Sequence, residues 1–137
     1  MIKTIKLILV LMFSLFSSDF NKKKSKKAPM SIYDISIKNI EGSEMSLSDY
    51  KGKYMLFVNV ASNCGFTRQY KDLQQLYDQN SDKLVVIGVP CNQFGAQEPG
   101  SEDQISIFCS EKYNVSFPMT EKTYVRGANQ HPLYKWL

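Results

Sequence analysis

Two apolar runs, residues 54–61 (YMLFVNVA) and 84–89 (LVVIGV), constrain this chain more than any other feature. Each is too continuous for a strand with one wet face. Each fits a strand covered on both sides, as in a parallel sheet beneath helices. Between them Tyr70, Leu73, Leu76 and Tyr77 recur at spacings of three and four. This predicts a helix over about residues 67–78 with that apolar face toward the sheet. Strand, helix, strand, joined by a right-handed crossover, predicts an α/β layer fold. Pro90 stops the second run, and the loop that follows, CNQFGAQEPG, contains two Gly and one Pro. Ser101 with Gln104 reads as a capping box opening a second helix to about residue 113. Residues 117–125 read as extended. A third helix is expected from His131, with Pro132 in its first turn. Upstream, Ile32, Ile35, Ile37 and Ile40, the turn at 41–44 and the return at 45–47 predict a β-hairpin. Residues 48–53 form a turn or a single helical turn.

Charge is distributed unevenly. Residues 1–28 hold seven Lys and one Asp, a balance of +6, against a net +4 for the whole chain. The remainder is close to neutral, so no basic face for nucleic acid is implied. Lys3 and Lys6 precede the uncharged stretch LILVLMFSLFSS at residues 7–18. That stretch is short for a membrane span, which takes about 20 apolar residues, and fits the core of a signal peptide. Residues 1–18 are therefore expected to be a signal peptide or N-terminal anchor, with the protein exported or held at a membrane. Residues 19–30, rich in Lys, read as a solvated linker, and 31–137 as one folded domain.

The cysteines lie at 64, 91 and 109, an odd number with no paired spacing, and there is one His. That is a poor disulfide framework and no zinc pattern, so thiol reactivity is the more informative property. Cys64 ends the first buried strand and opens a helix. A thiol there lies at the ligand-binding edge of an α/β sheet and faces free helix N–H groups, which favour thiolate. Gly65 would let the chain turn tightly. Thr67 could cap the helix or donate to the sulfur. Position alone also fits a buried core cysteine.

The runs NVASNCGFT, residues 59–67 with Cys64 among them, and PCNQFGAQEPG, residues 90–100, resemble the two signatures of glutathione peroxidases. Phe117-Pro118-Met119 and His131-Pro132-Leu133-Tyr134 are similar as well, and the likeness runs from about residue 32 to 137. The resemblance implies a thioredoxin-like α/β fold with an N-terminal hairpin. It implies a cofactor-free thiol peroxidase acting on hydrogen peroxide or organic and lipid hydroperoxides. Cys64 would be the peroxidatic residue and Gln97 the active-site amide donor. Thioredoxin or glutathione would serve as reductant. Asn92, Gln93 and His131 are expected to be structural, and Cys91 packed and inert. The resemblance also implies a resolving cysteine on the second helix. Cys109 is the candidate, one residue from the matching position at Ser110 and so turned about 100° around the helix. The short segment 95–119 implies a monomeric, thioredoxin-using type. The family's W-N-F stretch has no counterpart, since the single Trp, Trp136, lies after His131. The chain is accordingly expected to be a C-terminally incomplete domain. The other reading is a catalytically weak thioredoxin-like protein that senses oxidant or binds partners.

Overall fold

The computed structural model describes residues 31–137. The expected signal segment and the Lys-rich linker, residues 1–30, lie outside the described residues. A capped 3₁₀ turn, Ile32–Asp34, leads into a hairpin of β1 (Ile37–Lys38) and β2 (Glu44–Met45). A second 3₁₀ turn, Leu47–Tyr50, precedes β3 (Tyr54–Val60). Next come α1 (Tyr70–Asn80), β4 (Leu84–Pro90), α2 (Glu102–Tyr113) and the short α3 (Pro132–Trp136). The order is the one expected from the apolar runs.

β4 is the centre of the molecule. It pairs with β3 in parallel, Tyr54 opposite Leu84 through Val60 opposite Pro90. Its other edge meets the extended residues around Met119, where Gly88 N donates to Pro118 O and Thr120 N to Gly88 O, both at 2.9 Å. That segment in turn meets the hairpin, through Ile40 N to Met119 O at 2.9 Å and Glu121 N to Lys38 O at 3.0 Å. Residues 117–125 thus stay extended as expected but make isolated bridges instead of a full strand. Gly88 allows the close approach, since a Cβ there would lie 3.2 Å from the Phe117 ring and 3.3 Å from Met119.

Alternation along β4 divides the core in two. Val85 and Ile87 pack with Ile32, Ile37, Leu47 and Leu133, beneath the hairpin and α3. Val86 packs on the other face with Tyr70, Ile105, Cys109 and Phe117, beneath α1 and α2. A strand buried on both faces must be apolar at every position, which explains the continuous run at 84–89.

The equally apolar run in β3 is covered less completely than expected. Tyr54 is 80% exposed and Leu56 37%. Among the described residues β3 pairs only with β4, so it has one bare edge and no neighbour to carry covering side chains past it. The face of α1 is also corrected. Tyr70 and Gln74 are buried while Leu76 is exposed. Residue 76 lies roughly 120° from residue 70 on a helix of 3.6 residues per turn. Gln74 tolerates burial because its amide is paired. Its Nε2 donates to Asp78 Oδ1 at 2.7 Å and to Ser116 Oγ at 2.8 Å, and its Oε1 accepts from Ser116 N at 2.8 Å.

The capping box of α2 forms as the sequence predicts. Ser101 Oγ accepts from Gln104 N at 3.3 Å, and Gln104 Oε1 accepts from Ser101 N at 2.9 Å. α2 ends at Asn114, whose left-handed φ of 52° closes the helix. α3 is capped by His131, whose Nδ1 accepts from Leu133 N at 3.1 Å.

Candidate active site

Parallel pairing of β3 and β4 carries two loops to one edge of the sheet. The first, residues 61–69, follows β3 and holds Cys64. The second, residues 91–101, follows β4 and holds Gln97. Cys91 N donates to Val60 O at 3.1 Å, which fixes the roots of both loops together. Asn63 N donates to Gln97 O at 3.0 Å, which ties their tips one residue before Cys64. The carboxyl end of a parallel sheet is where such folds place their chemistry.

Cys64 is half-buried and free. It borders a cleft of about 70 Å³ lined by Asn59, Ala61, Phe66, Thr67 and Tyr70. Its Sγ accepts from Phe66 N at 3.5 Å. Phe66 is 67% exposed, leaving an apolar rim beside the thiol. A 3₁₀ turn, Thr67–Gln69, separates this loop from α1. The backbone around the thiol is held by Thr67. Its Oγ1 accepts from Cys64 N at 3.0 Å and lies 2.8 Å from Ala61 O and 2.7 Å from Cys64 O, the acceptors for its own proton. Thr67 thus braces the loop and does not donate to the sulfur. Gly65 has no positive φ, and a Cβ there would meet nothing within 4 Å. The turn does not demand glycine; the site is simply open at that point.

The second loop is rigidly tied. Gly95 and Ala96 have φ of 63° and 53°. Two successive left-handed residues make a sharp bend that costs Ala96 strain and suits Gly95. Asn92 Oδ1 accepts from Glu98 N at 2.8 Å across this bend. Gln93 Oε1 accepts from Val125 N at 2.7 Å and Arg126 N at 3.1 Å, while its Nε2 donates to Arg126 O at 2.9 Å. Both are structural, as expected. Cys91 is buried and packs with Val89 and Val125. Gln97 reaches the Cys64 loop through its backbone carbonyl. Among the described residues its side-chain amide makes no hydrogen bond to the sulfur.

Cys109 is 1% exposed, on the face of α2 that meets Tyr70. Burial pushes its thiol above the usual range; the Tyr70 hydroxyl beside it pulls the other way, and the nearby Glu98 carboxyl adds to the rise. Tyr70 lines the Cys64 cleft and also adjoins Cys109, so it links the surroundings of the two thiols. His131 is a cap, held below its ordinary pKa chiefly by burial. The residue that sequence reasoning missed is Glu98. It is 0% exposed although charged residues are normally on the surface. The only signal was its place inside the second motif, between Gln97 and Pro99.

The family model of glutathione peroxidase matches residues 32–137. The chain is 49% identical over 112 residues to the hydroperoxy fatty acid reductase gpx1 of Synechocystis, covering 81% of this chain and 66% of that protein. It is 49% identical over 108 residues to the glutathione peroxidase-like peroxiredoxin 2 of Saccharomyces cerevisiae, covering 78% of this chain and 67% of that one. The crystal structure of Trgpx in its apo form superposes with a TM-score of 0.59 at 41% identity, over 79% of this chain and 63% of that one. A secreted disulfide oxidoreductase of Mycobacterium tuberculosis, 16% identical with a TM-score of 0.51, shares the fold alone. The chain spans about two thirds of the length of the curated relatives it matches. The α/β fold is thioredoxin-like, and the chain belongs to the glutathione peroxidase family.

Proposed function

We propose that the protein is a thiol peroxidase in which Cys64 reduces hydroperoxides. One observation carries the reading: the loop holding a half-exposed Cys64 and the loop holding Gln97 are joined by the Asn63 N to Gln97 O bond at the carboxyl edge of a parallel sheet. The Cys64 thiolate attacks the terminal peroxide oxygen, the O–O bond breaks, and the alcohol or water leaves with a proton. Cys64 becomes a sulfenic acid. The Gln97 amide is the proposed donor to the leaving oxygen once its side chain turns toward the sulfur. The apolar rim at Phe66 and the relatives' names, hydroperoxy fatty acid reductase among them, favour organic and lipid hydroperoxides beside hydrogen peroxide.

A thiol then condenses with the sulfenic acid, releasing water and forming a disulfide, which an external dithiol reduces. Cys109 is the candidate internal thiol, and thioredoxin or glutathione the candidate reductant. Burial of Cys109 means that α2 must open before it can reach Cys64. The same burial favours a second reading, in which Cys64 is oxidised but turns over slowly and the protein serves as a redox sensor. Peroxide consumption with thioredoxin plus its reductase, or with glutathione, separates the two. The account predicts sustained consumption by wild type and its loss in Cys64→Ser. Stoichiometric oxidation of Cys64 without turnover, with either reductant, supports the sensor. We further propose that the protein acts as a monomer that is exported or held at a membrane by its N-terminal segment. Sedimentation and fractionation of the full chain test both points.

A further inference from the structure

We propose that Glu98 is a positioning residue for Cys64: its buried carboxyl, seated between Ser62 of the Cys64 loop and the Tyr70–Cys109 pair, holds that loop against α2 as a neutral acid and loosens it when ionised. The inference rests on the reading of Cys64 as the reacting thiol. Glu98 is 0% exposed, and neither carboxyl oxygen closes a hydrogen bond of good geometry. The Ser62 hydroxyl and the Tyr70 hydroxyl are likewise buried without a well-formed partner. Four polar side chains from four separate segments therefore converge in the core: Ser62 after β3, Tyr70 at the start of α1, Glu98 before α2, and Cys109 within α2. Unpaired polar groups are costly in the interior, and their clustering in a native fold calls for a reason.

The chain fastens Glu98 on both sides of this cluster. Its N–H is held by Asn92 Oδ1 at 2.8 Å, and Gln97 O, one residue earlier, holds Asn63 N at 3.0 Å. Ser62 and Asn63 are the two residues that lead into Cys64. The groups facing the carboxyl are Ser62 from the Cys64 loop, Tyr70 from α1, Cys109 from α2 and Lys122 from the segment after Met119. Lys122 is the one cation among them, and its ammonium is committed to backbone carbonyls, Gly100 O at 2.5 Å and Glu98 O at 3.4 Å. Burial accordingly raises the Glu98 carboxyl above its ordinary range, against smaller opposing effects of Ser62 and Lys122. A buried carboxylate whose nearby cation is bonded to backbone carbonyls is unfavourable, and the neutral acid can instead share a proton with the Ser62 hydroxyl.

The sign follows from linkage. The unfolded chain ionises Glu98 at lower pH than the folded one. The stability associated with the neutral acid is present below the ordinary carboxyl range and is lost as pH rises through the raised folded value. The test uses the full 137-residue chain. Sulfenic-acid formation at Cys64 and Tm are measured from pH 6 to pH 9 in wild type, Glu98→Gln and Glu98→Ala. Gln is neutral at every pH and keeps the shape. Glu98→Gln is expected to react within about twofold of wild type at pH 6, while Glu98→Ala slows by about tenfold. The ratio of wild-type to Glu98→Gln rates, in which ionisation of Cys64 cancels, is expected to fall about tenfold by pH 9, with wild-type Tm dropping below that of Glu98→Gln. A ratio that does not change with pH, or a Gln variant as slow as the Ala variant, would overturn the proposal and leave Glu98 as packing. If Glu98→Ala does not fold, the ratio and the Gln variant still decide. Absence of peroxide reaction at Cys64 in wild type would instead defeat the peroxidase reading, while the Tm comparison would still report on Glu98.

Discussion

Thr67 shows how much of the site is held by one hydroxyl. It accepts from the N–H of Cys64 and reaches the carbonyls of Ala61 and Cys64. Replacing it by Val keeps the shape and removes every one of these side-chain bonds, so the partly buried Cys64 N–H and Ala61 carbonyl lose this partner while the Cys64 carbonyl keeps Thr67 N at 3.1 Å. Thr67→Val should lose about 1–3 kcal/mol of stability in denaturant titration and slow sulfenylation of Cys64, while Thr67→Ser should stay close to wild type. The thiols should also separate by access. In the native state Cys64 is expected to alkylate first, with Cys91 and Cys109 protected until unfolding. Because burial raises the Cys109 thiol, its native alkylation should appear only at more alkaline pH than in the denatured chain. Mass-spectrometric mapping of a timed maleimide reaction checks both points.

At the scale of elements, α3 offers a pH-dependent cap. Its first N–H, that of Leu133, depends on His131 Nδ1 as acceptor, which requires a neutral imidazole. Burial holds His131 below its usual pKa. The stabilisation is therefore present above the unfolded value, about 6.5, and is lost as pH falls through the lower folded value. His131→Asn, which retains a capping oxygen, should flatten the acid limb of a Tm-against-pH curve, whereas His131→Ala should lower Tm at neutral pH. α2 depends on its capping box in a pH-independent way. Ser101→Ala should cost about 0.5–2 kcal/mol in chemical unfolding, with the same effect at pH 6 and pH 8.

Across the whole molecule, the parts legible in sequence are those set by local pattern. The continuous run of β4 and the Ser101–Gln104 box follow from residues near in the chain and stand where expected; the hairpin also forms, but Glu44, read as turn, is already in β2, and Ile32 and Leu47 lie in 3₁₀ turns instead of its arms. What the pattern could not convey depends on neighbours distant in sequence. Gln74 is buried because Ser116 meets it, and Leu76 is exposed because nothing among the described residues covers that side of α1. β3 is as apolar as β4, yet pairing on a single edge leaves Tyr54 open. In the site, both loops and Cys64 were readable from their motifs. The burial of Glu98 and the bracing by Thr67 were not, because a Glu and a Thr in a loop look the same whether solvated or folded inward.

The central claim is that the Cys64 loop is the reactive centre. The most direct test is to treat the reduced full chain with one equivalent of peroxide in the presence of a sulfenic-acid trap and to map the adduct by peptide mass spectrometry. The account predicts labelling at Cys64 before any modification of Cys91 or Cys109. Labelling of either of those with Cys64 untouched would contradict it.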